Sequence, residues 1–142
     1  MKPITLSSPD ITQLERDAVL EVLSRPQLSL GPELPRFEHA LAEKVGTKHA
    51  IAVNSGTSAL HLCIKAADIS DGDEVITTPF SFVASANCIL FERAKPVFVD
   101  IDPQTYNIDI DKIEAAITPR TKAILPVHVF GRPCNMERFG RD

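Results

Sequence analysis

The sequence predicts an α/β fold: a three-layer, mostly parallel sheet with helices on both faces. Three observations predict it. Strand-like and helix-like segments alternate along the chain. The strand-like segments are continuous apolar runs, such as Val97-Phe98-Val99 and Ala123-Ile124-Leu125, rather than alternating ones. That is the pattern of parallel strands covered on both faces. Finally, 142 residues with 44% apolar and 24% charged composition are enough for one domain with a real core.

Each element has a local reason. Residues 1–9 read as extended. Pro9-Asp10 leads into a helix whose Thr12 and Glu15 have capping-box spacing. Leu14, Ala18, Val22 and Leu23 form its apolar stripe, and Pro26 stops it. Gln27 to Pro35 is a loop broken by Gly31, Pro32 and Pro35. A second amphipathic helix runs from about Pro35 to Val45, with Phe37, Leu41 and Val45 on one face and Gly46 as C-cap. His49 to Val53 reads as a short buried strand, followed by the turn Asn54-Ser55-Gly56. Thr57 to Ala67 is a helix apolar on nearly every side, with His61 and Lys65 sharing one face. Asp71-Gly72-Asp73 is a turn, Glu74 to Thr78 a strand closed by Pro79, and Phe80 to Phe91 a second apolar helix. Pro96 to Asp100 is a strand, Asp109 to Ile117 an amphipathic helix with Ile110, Ile113 and Ile117 inward, and Lys122 to Val127 a buried strand.

Composition excludes several classes. The net charge is −4 with Lys and Arg scattered, so no basic patch argues for nucleic acid. Met1 to Ser8 has no apolar signal-peptide core, and no apolar run approaches a membrane span. Cys63, Cys88 and Cys134 are odd in number and widely spaced, which fits free, reduced, mostly buried thiols in the cytoplasm. No Cys/His spacing suits zinc.

Ligands of such sheets bind beyond the carboxyl ends of the strands. Three segments fall there: Asn54 to Ser58, Thr77 to Phe82, and Val127 to Gly131. Gly56, Thr57 and Ser58 open a helix, where unpaired N–H groups and the helix dipole favour an anion. Gly56 is also free to take a positive φ there. An ordinary strand-to-helix turn with Ser and Thr as caps has the same look. The turn is not a P-loop or a dinucleotide fingerprint, because no Gly-Lys-Ser/Thr follows it and one glycine is present. Phe82 at a strand end suits stacking on a flat ring, or a place in the core. His128, closing Pro126-Val127-His128, suits a ligand contact, or a satisfied, partly buried histidine. Asp100/Asp102 and Asp109/Asp111 lack the glycine and distal glutamate of a calcium loop and read as caps and turn formers.

Taken together, four segments resemble the N-terminal part of the DegT/StrS family of PLP-dependent sugar aminotransferases. They are Gly31-Pro32-Glu33-Leu34-Pro35-Arg36-Phe37-Glu38; Ala50 to Leu60; Gly72 to Asn87; and Val99-Asp100-Ile101-Asp102 joined to Ile117 through His128 and Gly131. The resemblance covers nearly the whole chain. It implies part of the large domain of the fold-type-I PLP-dependent transferases, with pyridoxal 5'-phosphate as cofactor. Gly56, Thr57 and Ser58 would hold its phosphate, Phe82 would stack on its ring, and His128 would lie near the ring or substrate. The loop around Gly31 would line the entrance. The implied substrates are a nucleotide-linked keto-sugar and an amino-acid donor such as glutamate. The implied full-length form is a homodimer, without nucleic acid, metal or membrane.

The family's aspartate for the pyridine nitrogen and its Schiff-base lysine lie beyond the segment matching Pro126 to Met136. None of the seven lysines falls in that motif. Residues 1–142 therefore read as an N-terminal portion of the large domain, inactive alone and with no catalytic residue of its own. Two alternatives stay open on the sequence: a non-catalytic phosphate- or PLP-binding domain, and a PLP/PMP-dependent sugar dehydratase of the same family.

Overall fold

The computed structural model describes residues 7–139, so the first six residues of the extended N-terminal stretch lie outside it. The chain divides into two compact units, Met1–Ala52 and Val53–Asp142.

The first unit holds α1 (Gln13–Leu23) and α2 (Glu33–Val45). The capping box forms as read: Thr12 accepts from the Leu14 N–H, and Glu15 reaches back to the Thr12 N–H. Its stripe is not buried in this unit: Leu14, Ala18 and Leu23 are exposed and Val22 is half-buried. Arg25 joins the end of α1 to the start of α2 by pairing with both Glu21 and Glu33. α2 begins two residues earlier than the proline pattern suggests. Pro32 sits at the N-cap and Pro35 in the first turn, where a missing N–H costs no helical bond. Gly46 ends the helix at φ 72°, a left-handed C-cap. The expected strand at His49–Val53 does not form among the described residues. The Ala52 N–H donates to Glu38 Oε1 at 2.9 Å instead of to a ladder partner, and Ile51 is 78% exposed. A β-branched run marks strand propensity; it does not supply the neighbour that a strand needs.

The second unit is built on a three-stranded parallel sheet in the order β2-β1-β3. The strands are β1 (Glu74–Thr77), β2 (Lys95–Phe98) and β3 (Thr121–Ile124). β1 is central and wholly buried. Its alternation splits the core in two. Val75 packs with Ile64, Ile69, Cys88, Ile89 and Ala94, under α3 (Gly56–Ala66) and α4 (Ala84–Phe91). Ile76 packs on the other face with Val99, Ile108, Ile113 and Cys134. This is an α/β fold with a covered parallel sheet, as the sequence predicts.

Three helical expectations are corrected. α3 is less buried than its composition suggests: Ile64 alone is fully buried, while Leu62 and Cys63 are exposed. α4 starts at Ala84 rather than Phe80, because Thr78 Oγ1 takes the Phe80 N–H and the Ser81 N–H folds back onto the Pro79 carbonyl. The expected α-helix at Asp109–Ile117 is two 3₁₀ turns, Ile110–Lys112 and Glu114–Ala116. Ile110, Ile113 and Ala116 recur every third residue and all pack toward Ile76, which a three-residue turn allows. Ile117, the member at i+4, is left 53% exposed.

The amino ends of the strands are tied by one carboxylate. Glu74, 2% exposed, accepts from Thr118 Oγ1 at 2.6 Å, Arg120 at 2.9 Å and Lys95 Nζ at 3.3 Å. The Thr118 hydroxyl first, then the Arg120 guanidinium, pull its pKa from 4.5 to about 2. A carboxylate whose folded pKa is depressed stabilises the fold fully above its unfolded pKa and loses that contribution as pH falls through the folded value. Urea unfolding should therefore show stability falling between about pH 5 and pH 2. Glu74→Gln should lower stability at neutral pH and flatten that acid slope.

Candidate functional site

β1 and β3 are parallel neighbours, so their carboxyl ends open side by side. The Thr77 hydroxyl donates to the Leu125 carbonyl at 2.9 Å and fastens the two exits together. Beyond them lies a cleft of about 500 Å³, lined by residues 79–82 from one exit and 127–130 from the other. Phe82 and His128 therefore meet in one cleft, as two of the three sequence segments required. Phe82 is not a core residue. The late start of α4 leaves it in the connecting turn, 76% exposed and open to a flat ligand. His128 is also exposed rather than buried.

Gly56, Thr57 and Ser58 are not in the lining of that cleft. They form the first turn of α3, which runs back to β1 through only residues 67–73. The amino end of α3 therefore lies toward the same edge of the sheet. Ser55 is the N-cap, and its Oγ accepts the Ser58 N–H at 3.1 Å. The Ser58 hydroxyl donates to Asn54 Oδ1 at 2.8 Å. Ser58 is thus bound into the cap. Among the described residues, the N–H groups of Gly56 and Thr57 have no acceptor. A Cβ on Gly56 would meet nothing within 4 Å, and its φ is not positive. The glycine leaves open space over two free donors rather than serving a strained turn.

Sequence reasoning missed the aromatic wall and the side chain behind it. Phe80, Tyr106 and Phe130 have ring centroids 5.9–6.4 Å apart beside the cleft. Tyr106 and Phe130 take positive φ, 61° and 54°, a conformation uncommon in aromatic residues. Asn107, 4% exposed, bonds the backbone at Val129 and Arg132. No motif marks Tyr106-Asn107 in the sequence. The Asp pairs behave as read: Asp102 accepts from the Gln104 and Thr105 N–H groups, and Asp109 from that of Asp111. A smaller cleft of about 290 Å³ lies near these residues, and two of its carboxylates are already in ion pairs, Asp111 with Arg138 and Asp109 with Lys112. No cluster of three or more potential metal ligands occurs among the described residues, and no helix is long and apolar enough to cross a membrane. All three cysteines are free; Cys88 and Cys134 are buried, which pushes their thiols up, while Cys63 is exposed.

Fold and edge together define an α/β protein with two unpartnered N–H groups at the head of a helix and, beyond the carboxyl ends of a parallel sheet, a cleft lined by Phe80, Phe82 and Phe130. Residues 9–141 match the DegT/DnrJ/EryC1/StrS aminotransferase family, and the chain belongs to it. It is 48% identical to GDP-perosamine synthase of Caulobacter vibrioides over 94% of this chain and 36% of that protein. It is 52% identical to the spore coat polysaccharide biosynthesis protein SpsC of Bacillus subtilis over 92% of this chain and 34% of that protein. Among solved structures, PseC of Helicobacter pylori, an aminotransferase involved in the biosynthesis of pseudoaminic acid, superposes with a TM-score of 0.89. That match has 41% identity and covers 96% of this chain and 37% of PseC. NtdA from Bacillus subtilis, solved with bound cofactor PMP, gives 0.84 at 41% identity, over 90% of this chain and 30% of NtdA. The chain spans about a third of the length of these relatives.

Proposed function

We propose that this chain is the N-terminal portion of the large domain of a PLP-dependent aminotransferase that acts on a nucleotide-linked keto-sugar with an amino-acid donor such as glutamate. The observation that carries the reading is the convergence of Phe82 and His128 in one cleft, on the edge of the sheet that α3 faces with its amino end. The residues fit the cofactor. The free Gly56 and Thr57 N–H groups and the Thr57 hydroxyl would take its phosphate, with the Ser58–Asn54–Ser55 cap holding the turn in shape. Phe82 would stack on the pyridine ring, and His128 would contact the ring or the sugar. When bound, the cofactor supplies an electron sink for moving an amino group. No described lysine lines the cleft. That supports reversible, non-covalent binding, with no turnover, by these 142 residues alone. The soluble homodimer of the family is the assembly we assign to the full-length protein, in the cytoplasm.

Phe82→Ala tests the reading. An exposed side chain contributes little to stability, so unfolding should change by no more than about 0.5 kcal/mol. Losing one aromatic stack of about 0.5–1.5 kcal/mol should weaken PLP binding by roughly 2- to 13-fold, read by absorbance titration. Unchanged affinity would remove Phe82 from the site.

A further inference from the structure

The carboxamide of Asn107 is spent on a single loop. Its Oδ1 accepts the Val129 N–H at 3.0 Å, and its Nδ2 donates to the Arg132 carbonyl at 3.0 Å. Between these two anchors Phe130 and Gly131 take consecutive left-handed conformations, φ 54° and 81°, and turn the chain back on itself. The turn carries the Cys134 N–H to the His128 ring, 3.1 Å from Nδ1. A backbone N–H can only donate, so Nδ1 is the unprotonated nitrogen, and the neutral ring carries its proton on Nε2. The Cys134 Sγ, donating to the Val127 carbonyl at 3.3 Å, closes the same loop from the other side.

We infer that Asn107 is a positioning residue that fixes His128 as the Nε2–H tautomer, so that the ring meets the cleft as a hydrogen-bond donor and not as a proton acceptor. Asn107 holds both parts of the device: the residue next to the ring, and the strand of loop that delivers the donor to Nδ1. It does so from outside the cleft that His128 lines. The inference rests on the reading of His128 as a cleft residue. It adds that the group His128 serves is an acceptor, a phenolate, hydroxyl or carbonyl oxygen of cofactor or sugar. Taking up a proton would require His128 to give up the Cys134 bond first.

Long-range ¹H–¹⁵N NMR of the 142-residue chain at alkaline pH reads the tautomer directly, with the His128 signals identified by their loss in His128→Gln. The expected result is one tautomer, Nε2 protonated and Nδ1 bare. In Asn107→Ala and Asn107→Ser the His128 signals should move to the mixed pattern of exposed His49, while those of His39, His49 and His61 stay in place. A protonated or averaged Nδ1 in the unaltered chain would overturn the inference. So would folded Asn107 variants with an unchanged His128. If no Asn107 variant folds, Asn107 is a structural residue and the positioning role is lost. No cofactor enters this experiment, so its outcome is separate from that of any PLP titration.

Discussion

Replacing Gly56 by glutamate should weaken PLP binding at least tenfold and leave the fold standing. Gly56 is the first residue of α3, and a Cβ there would meet nothing within 4 Å. A carboxylate in the first turn of a helix is favourable by about 0.3–1 kcal/mol, and glutamate is a better helix former than glycine. For the protein alone the substitution is neutral or mildly stabilising. For a phosphate seated on the Gly56 and Thr57 N–H groups it places like charge at the point of contact. Hydrogen bonds to charged groups are worth about 1.5–3 kcal/mol, and losing one is at least a tenfold effect. Thermal unfolding and a PLP titration on the same sample separate the two. A lower melting temperature with unchanged affinity would reverse the assignment.

The second large effect belongs to the core. Ile76→Ala should cost about 2–5 kcal/mol, as buried isoleucine truncations do. Ile76 is fully buried at the centre of β1, packed against Val99, Ile108, Ile113 and Cys134. Its carbonyl also accepts the Leu125 N–H at 2.8 Å. A cavity there lies under the loop that carries Cys134 and supports His128, so the cleft should loosen with the core. With typical stabilities of about 5–15 kcal/mol, the loss is a large share of the total. Ile51→Ala, at a 78% exposed position, should change urea unfolding by no more than about 0.5 kcal/mol.

Much of this was legible in the sequence because local chemistry decided it. The Thr12 capping box, the Gly46 cap, the Gly72 turn and the apolar parallel strands follow from side chains acting on their own backbone. Phe82 and His128 could be placed at strand ends, and the structure brings them together. What was not legible depended on partners distant in sequence. The His49–Val53 run has strand composition, but its Ala52 N–H is taken by Glu38. The isoleucines at 110, 113 and 117 fit a 3.6-residue period, but Ile110 and Ile113 with Ala116 fit a 3.0 one, and that is the set packed with Ile76. Asn107 has no motif, and its role exists only because Val129 and Arg132 fold over it. Ser58 looked like a phosphate donor from its position, while in the structure its N–H and hydroxyl serve the cap.

The most direct test of the central claim is a PLP titration of the 142-residue chain, followed by visible absorbance with and without inorganic phosphate and then by borohydride reduction. Saturable binding that phosphate competes away, with no lysine specifically labelled on reduction, is the expected result. Binding that never saturates, or that ignores phosphate, or that traps one particular lysine, would contradict a phosphate seat at the head of α3 beside a cleft that holds the cofactor without a covalent bond.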